Sequence, residues 1–134
     1  MATEKLRLRR EGDDAVICDE LVLGESFWQR FMGLMGRASM PTGHGLYLPA
    51  NSIHMMLMRF PIDALFVSKE GQDGRRSVIS TRSDLPTWRG IVMPVRGAEG
   101  VVEMPAGTLD RAGVAVGDTV VFEPIPAHTS EAAA

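Results

Sequence analysis

The stretch at residues 51–67 reads Asn-Ser-Ile-His-Met-Met-Leu-Met-Arg-Phe-Pro-Ile-Asp-Ala-Leu-Phe-Val and is the longest strongly apolar segment of the chain. Pro61 divides it, because proline lacks an amide donor and keeps Phe60 away from helical angles. We therefore predict a strand over residues 53–58, a corner at 59–61 and a second strand over 62–67. Neither face of the first strand is cleanly polar, so we expect it to be a central strand that is covered on both sides.

Outside this stretch, short β-type runs alternate with turns that contain glycine or proline. We predict strands at residues 6–9 (an edge strand), 15–18, 21–23, 46–48, 77–81, 101–104 and 119–122. Ser26 is a plausible N-cap for a helix that ends near Gly36, and Phe31 and Leu34 lie on its apolar face. A short helical turn is expected at residues 109–112, closed by Gly113.

Many short strands and little helix predict a mainly β protein. The architecture we expect is a small, partly closed β-barrel or a strongly bent antiparallel or mixed sheet, with one packed helix and the short helical turn. The length of 134 residues suits a single domain over 1–134. We expect its ordered core to cover about 5–123 and the tail at 124–134 to be frayed.

Composition and charge narrow the classes of function. Hydrophobic residues make up 45% and charged residues 23%, and the net charge of −3 comes with no basic stripe, so we expect no nucleic-acid partner. Cys18 is the single cysteine, which excludes an internal disulfide and predicts a buried, inert thiol. No segment has the length and apolarity of a membrane span.

The N-terminal residues lack the apolar core of a secretion signal, so we expect a cytoplasmic protein. A periplasmic or exported location would follow if a leader had been removed. The expected partner is an unidentified small molecule or protein, and the expected state is a monomer or weak dimer.

Three motifs occur in a fixed order: Phe-Met-Gly-Leu-Met-Gly at 31–36, the apolar segment at 53–66, and Val-Glu-Met-Pro-Ala-Gly at 102–107 followed by Gly-Asp at 117–118. Together they resemble the domain-of-unknown-function family 192, over roughly residues 21–121. The resemblance implies a small β-rich domain of bacteria and archaea, with no established activity and no catalytic residues to carry across. Many relatives look exported or membrane-tethered, whereas we expect no leader here.

Three titratable residues lie within the apolar runs and are candidate catalytic residues: Asp63, Glu103 and His54. A buried carboxylate needs hydrogen bonds or a charged partner, so Asp63 either anchors backbone amides or pairs with Arg59, or it acts as a general base. Glu103 poses the same choice. If the two carboxyl groups met, the pKa of one would rise and an acid/base pair would become possible. His54 is either a satisfied core residue or a ligand or proton carrier.

The 9 methionines suggest two further interpretations. Met56, Met58 and His54 share one face of the predicted strand, and thioether sulfur with imidazole suits Cu(I). Alternatively, the methionines fill the core or line a pliable binding groove, which is the interpretation we favour. No His-x-x-x-His or Cys-x-x-Cys spacing occurs, so we expect neither a metal nor another cofactor.

Trp88 and Arg89 lie in a short segment bounded by proline and glycine. Trp88 either covers the core or, with Arg89, binds an extended peptide or an anionic small ligand. The favoured hypothesis is a non-catalytic domain that binds a small ligand or peptide in a cleft lined by methionines and aromatics. Its candidate ligand-binding residues are Arg59, Trp88, Arg89, Met56 and Met58. The alternatives are a small acid/base enzyme that uses Asp63 and Glu103 with His54, and a Cu(I)-binding protein.

Overall fold

The computed structural model describes residues 5–23, 40–55 and 59–125. This part of the chain forms one short helix, α1 (Thr108–Ala112), a 3-10 turn (Gln72–Gly74) and nine strands. The strands are β1 (Lys5–Arg10), β2 (Val16–Leu23), β3 (His44–Leu48), β4 (Ile53–His54), β5 (Ile62–Val67), β6 (Arg75–Leu85), β7 (Ile91–Val92), β8 (Gly100–Pro105) and β9 (Thr119–Pro124).

Seven of the described strands close into a barrel in the order β1-β2-β3-β8-β5-β6-β9, with β9 pairing back onto β1. Every pair is antiparallel except β2 and β3, which are parallel. The predicted mainly β fold is confirmed, as is the helical turn at residues 109–112, which corresponds to α1. The predicted helix that begins at Ser26 lies outside the described residues.

Strand β5 is buried on both faces of the barrel wall. All six of its residues are buried, and it pairs with β6 on one side and β8 on the other. Leu65 and Val67 pack in the barrel interior, whereas Ile62 and Phe66 pack in a second apolar layer on the outer face. Double-sided burial explains why the run is apolar at almost every position.

Two expectations about strand positions were wrong. The predicted strand at 53–58 is not a central strand, because the structure describes only Ile53–His54 of it as strand, in a separate two-stranded sheet with β7. The run at 6–9 is not at an edge, because β1 pairs with both β2 and β9. A run of apolar residues predicts burial but does not say which neighbours produce it.

Apolar side chains from several strands of the wall fill the interior of the barrel. Leu8, Leu21 and Val120 are fully buried there, and Leu109 of α1 joins them. Cys18 belongs to the same core; burial, with a smaller effect of the Asp19 charge, raises the pKa of its thiol to about 12, which keeps it protonated. The expectation of a buried thiol is confirmed.

A cation lies between two aromatic rings on the barrel. The Arg76 guanidinium lies 5.1 Å from the centroid of the Tyr47 ring and 4.8 Å from that of Phe122. Its Nη1 donates a hydrogen bond of 3.0 Å to the carbonyl of Ser68. Because only 12% of the side chain is exposed, the two rings replace much of its hydration and support the cation–π attraction.

An outer ribbon, formed by residues 51–55 and 88–95, packs against the outer face of the barrel wall. Ile53 and Met55 of the ribbon share an apolar layer with Leu46 and Phe66 of the wall. Backbone hydrogen bonds join the two halves of the ribbon: the amide of Met55 donates to the carbonyl of Gly90 (2.8 Å), that of Trp88 to Met55 (2.9 Å), and that of Val95 to Asn51 (2.8 Å).

Among the described residues, none of the helices has the length and apolarity that crossing a bilayer requires.

Candidate functional site

Asp63 lies on β5 and is completely buried. Its Oδ1 accepts a hydrogen bond from the amide of Asp84 (2.8 Å), and its Oδ2 accepts from the amides of Gly107 (3.1 Å) and Leu109 (2.9 Å). The residues that donate these bonds come from β6 and from the start of α1. Three donors compensate the lost hydration of a buried carboxylate.

The carboxylate of Asp63 also substitutes for a local cap on α1. Gly107, at the N-cap of this helix, has no side chain that could accept a hydrogen bond, and Asp63 accepts the amide of Leu109 in its place. Asp63 therefore accepts backbone amides, which is one of the two structural roles predicted for it. The amides that donate belong to β6 and to the start of α1, and not to the corner at Pro61. Arg59 is exposed and is not the group that compensates this carboxylate.

Glu103 lies on β8 between Leu46 of β3 and Ala64 of β5, which are its directly paired neighbours. Only 7% of the residue is exposed, and within the described part of the chain it makes neither a hydrogen bond nor an ion pair. Burial raises the pKa of its carboxyl from 4.5 to about 7. The apolar face of the wall therefore contains a carboxyl group that is largely protonated below neutral pH.

The structure does not bring Asp63 and Glu103 into one site. Asp63 pairs with Met104 and Ala64 pairs with Glu103, so the two carboxyl side chains occupy successive register positions and point to opposite faces of the wall. Asp63 faces the side of the interior core, and Glu103 faces the side of the outer layer. The carboxyl pair that the acid/base hypothesis required is therefore not formed.

The other candidate site residues predicted from the sequence lie either in the ribbon or outside the residues that the structure describes. The backbone of His54 pairs with Ile91 in the ribbon, away from the barrel interior. Met56 and Met58 lie outside the described residues, so the Cu(I) interpretation stays a prediction. Across the part of the chain that is described, no three His, Cys, Asp or Glu side chains cluster as a metal site would require. Met55 is fully buried and fills the outer apolar layer, which agrees with the interpretation that methionines fill the core.

The ribbon concentrates exposed apolar surface. Five large apolar side chains are exposed among the described residues, and three of them belong to the ribbon: Trp88 (57%), Ile91 (65%) and Met93 (71%). Trp88 is a candidate from the sequence, whereas Ile91 and Met93 are not, because a short apolar run is typical of the core. The only signal was the alternation of a strand: Val92, the residue between them, is 4% exposed and faces the wall.

Two arginines accompany the exposed apolar side chains, although the chain as a whole is acidic. Residues 85–98 contain Arg89 and Arg96 and no acidic residue, and the exposed Asp84 and Glu99 lie at the two ends of this stretch. Both arginines are exposed, and neither forms an ion pair within the described residues. Exposed apolar side chains that neighbour unpaired arginines in the chain are typical of a surface that contacts another molecule.

These features define a small closed β-barrel domain that carries an outer ribbon. The chain belongs to the family DUF192, described as Uncharacterized ACR, whose model matches residues 8–122. It is 31% identical over 106 residues to a UPF0127 protein of Thermococcus sibiricus; the alignment covers 75% of this chain and 64% of that protein, so the chain spans less than two thirds of this relative.

Two crystal structures share the fold. One is a putative transcription regulator from Sinorhizobium meliloti 1021, with a TM-score of 0.73 and 24% identity, covering 91% of this chain and 96% of that one. The other is a protein of unknown function from Novosphingobium aromaticivorans, with a TM-score of 0.68 and 20% identity, covering 87% and 84%. At these identities the likeness extends to the fold alone.

Proposed function

We propose that this chain is a non-catalytic binding domain and that the outer ribbon is the surface that contacts a protein partner. The observation that carries the proposal is the exposure of Trp88, Ile91 and Met93 within six residues of each other. Trp, Met and Arg are enriched in the centres of protein interfaces, and Arg89 lies next to Trp88 in the sequence. The proposal includes a cytoplasmic compartment.

The backbone of the ribbon supports a preformed binding surface. Trp88 has a φ of 65°, a left-handed conformation that is unusual for a bulky residue and costs energy. The hydrogen bonds between Trp88 and Met55 and between Met55 and Gly90 hold this conformation. A backbone that is already fixed loses little entropy when the ribbon binds a partner, which favours affinity.

The placement of the carboxyl groups supports binding over acid/base catalysis. All three donors around Asp63 are backbone amides of the fold, so the carboxylate is engaged in holding β6 and α1. Glu103 points to the other face of the wall. Neither group shares a site with its supposed partner.

The proposal is tested with a displayed library of random peptides that is selected on the immobilised protein. We expect enriched peptides that bind the wild-type protein and bind Trp88→Ala at least about tenfold more weakly, which is the loss of about 1.4 kcal/mol from one interface anchor. Val116→Ala is the matched control, because Val116 is 62% exposed outside the ribbon. Binding should be unchanged in this variant.

A library that yields no peptide whose binding depends on Trp88 would refute the ribbon as the contact surface. Circular dichroism and thermal unfolding of both variants verify that the fold is retained. Because Trp88 is exposed, we expect little change in stability from its replacement.

A further inference from the structure

We infer that the partner of the ribbon is an extended, acidic segment that adds as a strand to the open edge of β7. The inference rests on the proposed function and names the chemistry of its ligand. Strand addition needs an unpaired edge, and acidic character needs unpaired cations beside that edge. The first condition is met by β7, and the second by Arg89 within the ribbon and Arg96 one residue beyond it.

The open edge follows from the hydrogen-bond pattern. In an antiparallel pair, residues that exchange hydrogen bonds alternate with residues whose backbone groups point away from the partner strand. Met55 and Gly90 are hydrogen-bonded, so His54 and Ile91, the next pair, are not. The N–H and C=O of Ile91 therefore point away from β4.

In the described part of the chain, no third strand joins the sheet of β4 and β7. Among these residues the outward N–H and C=O of Ile91 have no strand partner, which leaves them to a strand that lies alongside β7. The side chain of Ile91 is 65% exposed, so an apolar side chain of the added strand would find a neighbour across the new pair.

The positive charge of two arginines favours a partner segment with a negative net charge. Arg89 and Arg96 are exposed and unpaired among the described residues, and no acidic residue occurs between 85 and 98. An acidic segment would gain attraction from both arginines, and a basic one would be repelled. Apolar residues at alternate positions would complete the match, because successive side chains of a strand point to opposite faces.

The experiment measures the affinity of the selected peptides for three pairs of variants. Ile91→Pro removes the outward N–H, whereas Ile91→Ala keeps it and removes only the side chain. The double variant Arg89→Glu/Arg96→Glu reverses the local charge, and Arg82→Glu reverses an exposed arginine on β6 as its control. Trp88→Ala and Val116→Ala report on the ribbon as a contact surface.

We expect the selected peptides to be rich in Asp and Glu at alternate positions with apolar residues. Ile91→Pro should bind them at least about tenfold more weakly than Ile91→Ala, and the double arginine variant at least about tenfold more weakly than Arg82→Glu. Raising the salt concentration should weaken binding of the wild-type protein.

Selected peptides without acidic residues, or equal affinities of Ile91→Pro and Ile91→Ala, would overturn this inference. If such peptides still depended on Trp88, the proposed binding function would stand while the acidic strand would be rejected. If no peptide depended on Trp88, the proposed function itself would fail. Thermal unfolding of each variant verifies that the comparison is made between folded proteins.

Discussion

Two carboxyl groups lie on neighbouring strands of the barrel wall, and the protein surrounds them in opposite ways. Asp63 receives three backbone amides in place of water. Glu103, one register position away and on the other face, is buried beside Leu46 and Ala64 without such donors among the described residues. The three amides replace the hydration that Asp63 loses on burial, whereas burial without donors raises the pKa of Glu103.

Replacing Asp63 with asparagine should destabilise the fold by about 1–3 kcal/mol, because an amide nitrogen would face backbone donors and leave at least one of them without an acceptor. The free energy of unfolding, measured by urea denaturation at neutral pH, checks this. Glu99→Gln is the control, since Glu99 is exposed, and its effect should stay within about 0.5 kcal/mol. Equal stabilities of Asp63→Asn and the wild-type protein would contradict the anchoring role.

Glu103 should make stability depend on pH. Its pKa is about 7 in the folded protein and near 4.5 in the unfolded chain, so between these values the folded state binds more protons. Stability should therefore fall as the pH rises from 4.5 through 7, by an amount on the order of 3 kcal/mol, and level off above.

The neutral variant Glu103→Gln isolates this effect. We expect it to lose this part of the pH dependence and to exceed the wild-type protein in stability at pH values above 7. Urea denaturation across this pH range provides the measurement. If the free energies of unfolding of the two proteins changed in parallel with pH, Glu103 would not be the source of the pH dependence.

At the scale of elements, the ribbon depends on a close approach of two backbone segments. A Cβ atom on Gly90 would lie 2.6 Å from Cγ of Met55 and 2.7 Å from the carbonyl oxygen of Pro86. The methionine side chain can move aside, but the backbone oxygen, which accepts a hydrogen bond from the amide of Gly90, cannot do so without shifting the loop.

Gly90→Ala should therefore cost about 1–3 kcal/mol in stability, as overpacking of a filled site does, and should weaken peptide binding by displacing Trp88. Gly71→Ala is the control, because its added Cβ would meet only the carbonyl oxygen of Arg75 at 3.5 Å, an ordinary contact. Thermal unfolding and peptide affinity are the measurements. A Gly90→Ala protein as stable as Gly71→Ala would show that the loop adapts freely.

The sequence predicts these elements unevenly, for physical reasons. The strand at 62–67 and the helical turn at 109–112 are recovered because an apolar run and a closing Gly113 are local signals. β6 extends over Arg75–Leu85, beyond the predicted 77–81, because its polar residues face solvent and leave no apolar period at its ends. The opposite facing of Asp63 and Glu103 depends on the register between β5 and β8, which no local pattern reveals.

At the scale of the whole molecule, closure joins the two ends of the described chain. β1 pairs with β9 over Leu6–Arg10 and Val120–Pro124, and it also pairs with β2. Contacts of such large sequence separation leave no local signature, so the sequence pattern predicts an edge strand at residues 6–9 and does not decide the degree of closure.

Removal of residues 1–10 should abolish cooperative unfolding, because it deletes the strand between β2 and β9 together with Leu6 and Leu8 of the interior core. Calorimetry and the dispersion of amide resonances provide the measurement. Removal of residues 126–134, which follow β9, is the control and should leave the transition in place. A truncated protein that still unfolds in one sharp transition would show that β1 is dispensable.

The shared acceptor at Asp63 has a consequence for hydrogen–deuterium exchange. The amide of Asp84 lies more than 20 residues before those of Gly107 and Leu109 in the chain, yet all three donate to one carboxylate. A local opening that withdraws this carboxylate exposes all of them at once, so their exchange rates should rise together when solvent conditions are made harsher. The exchange rates of these three amide protons would therefore report whether β5, β6 and α1 separate as one cooperative unit.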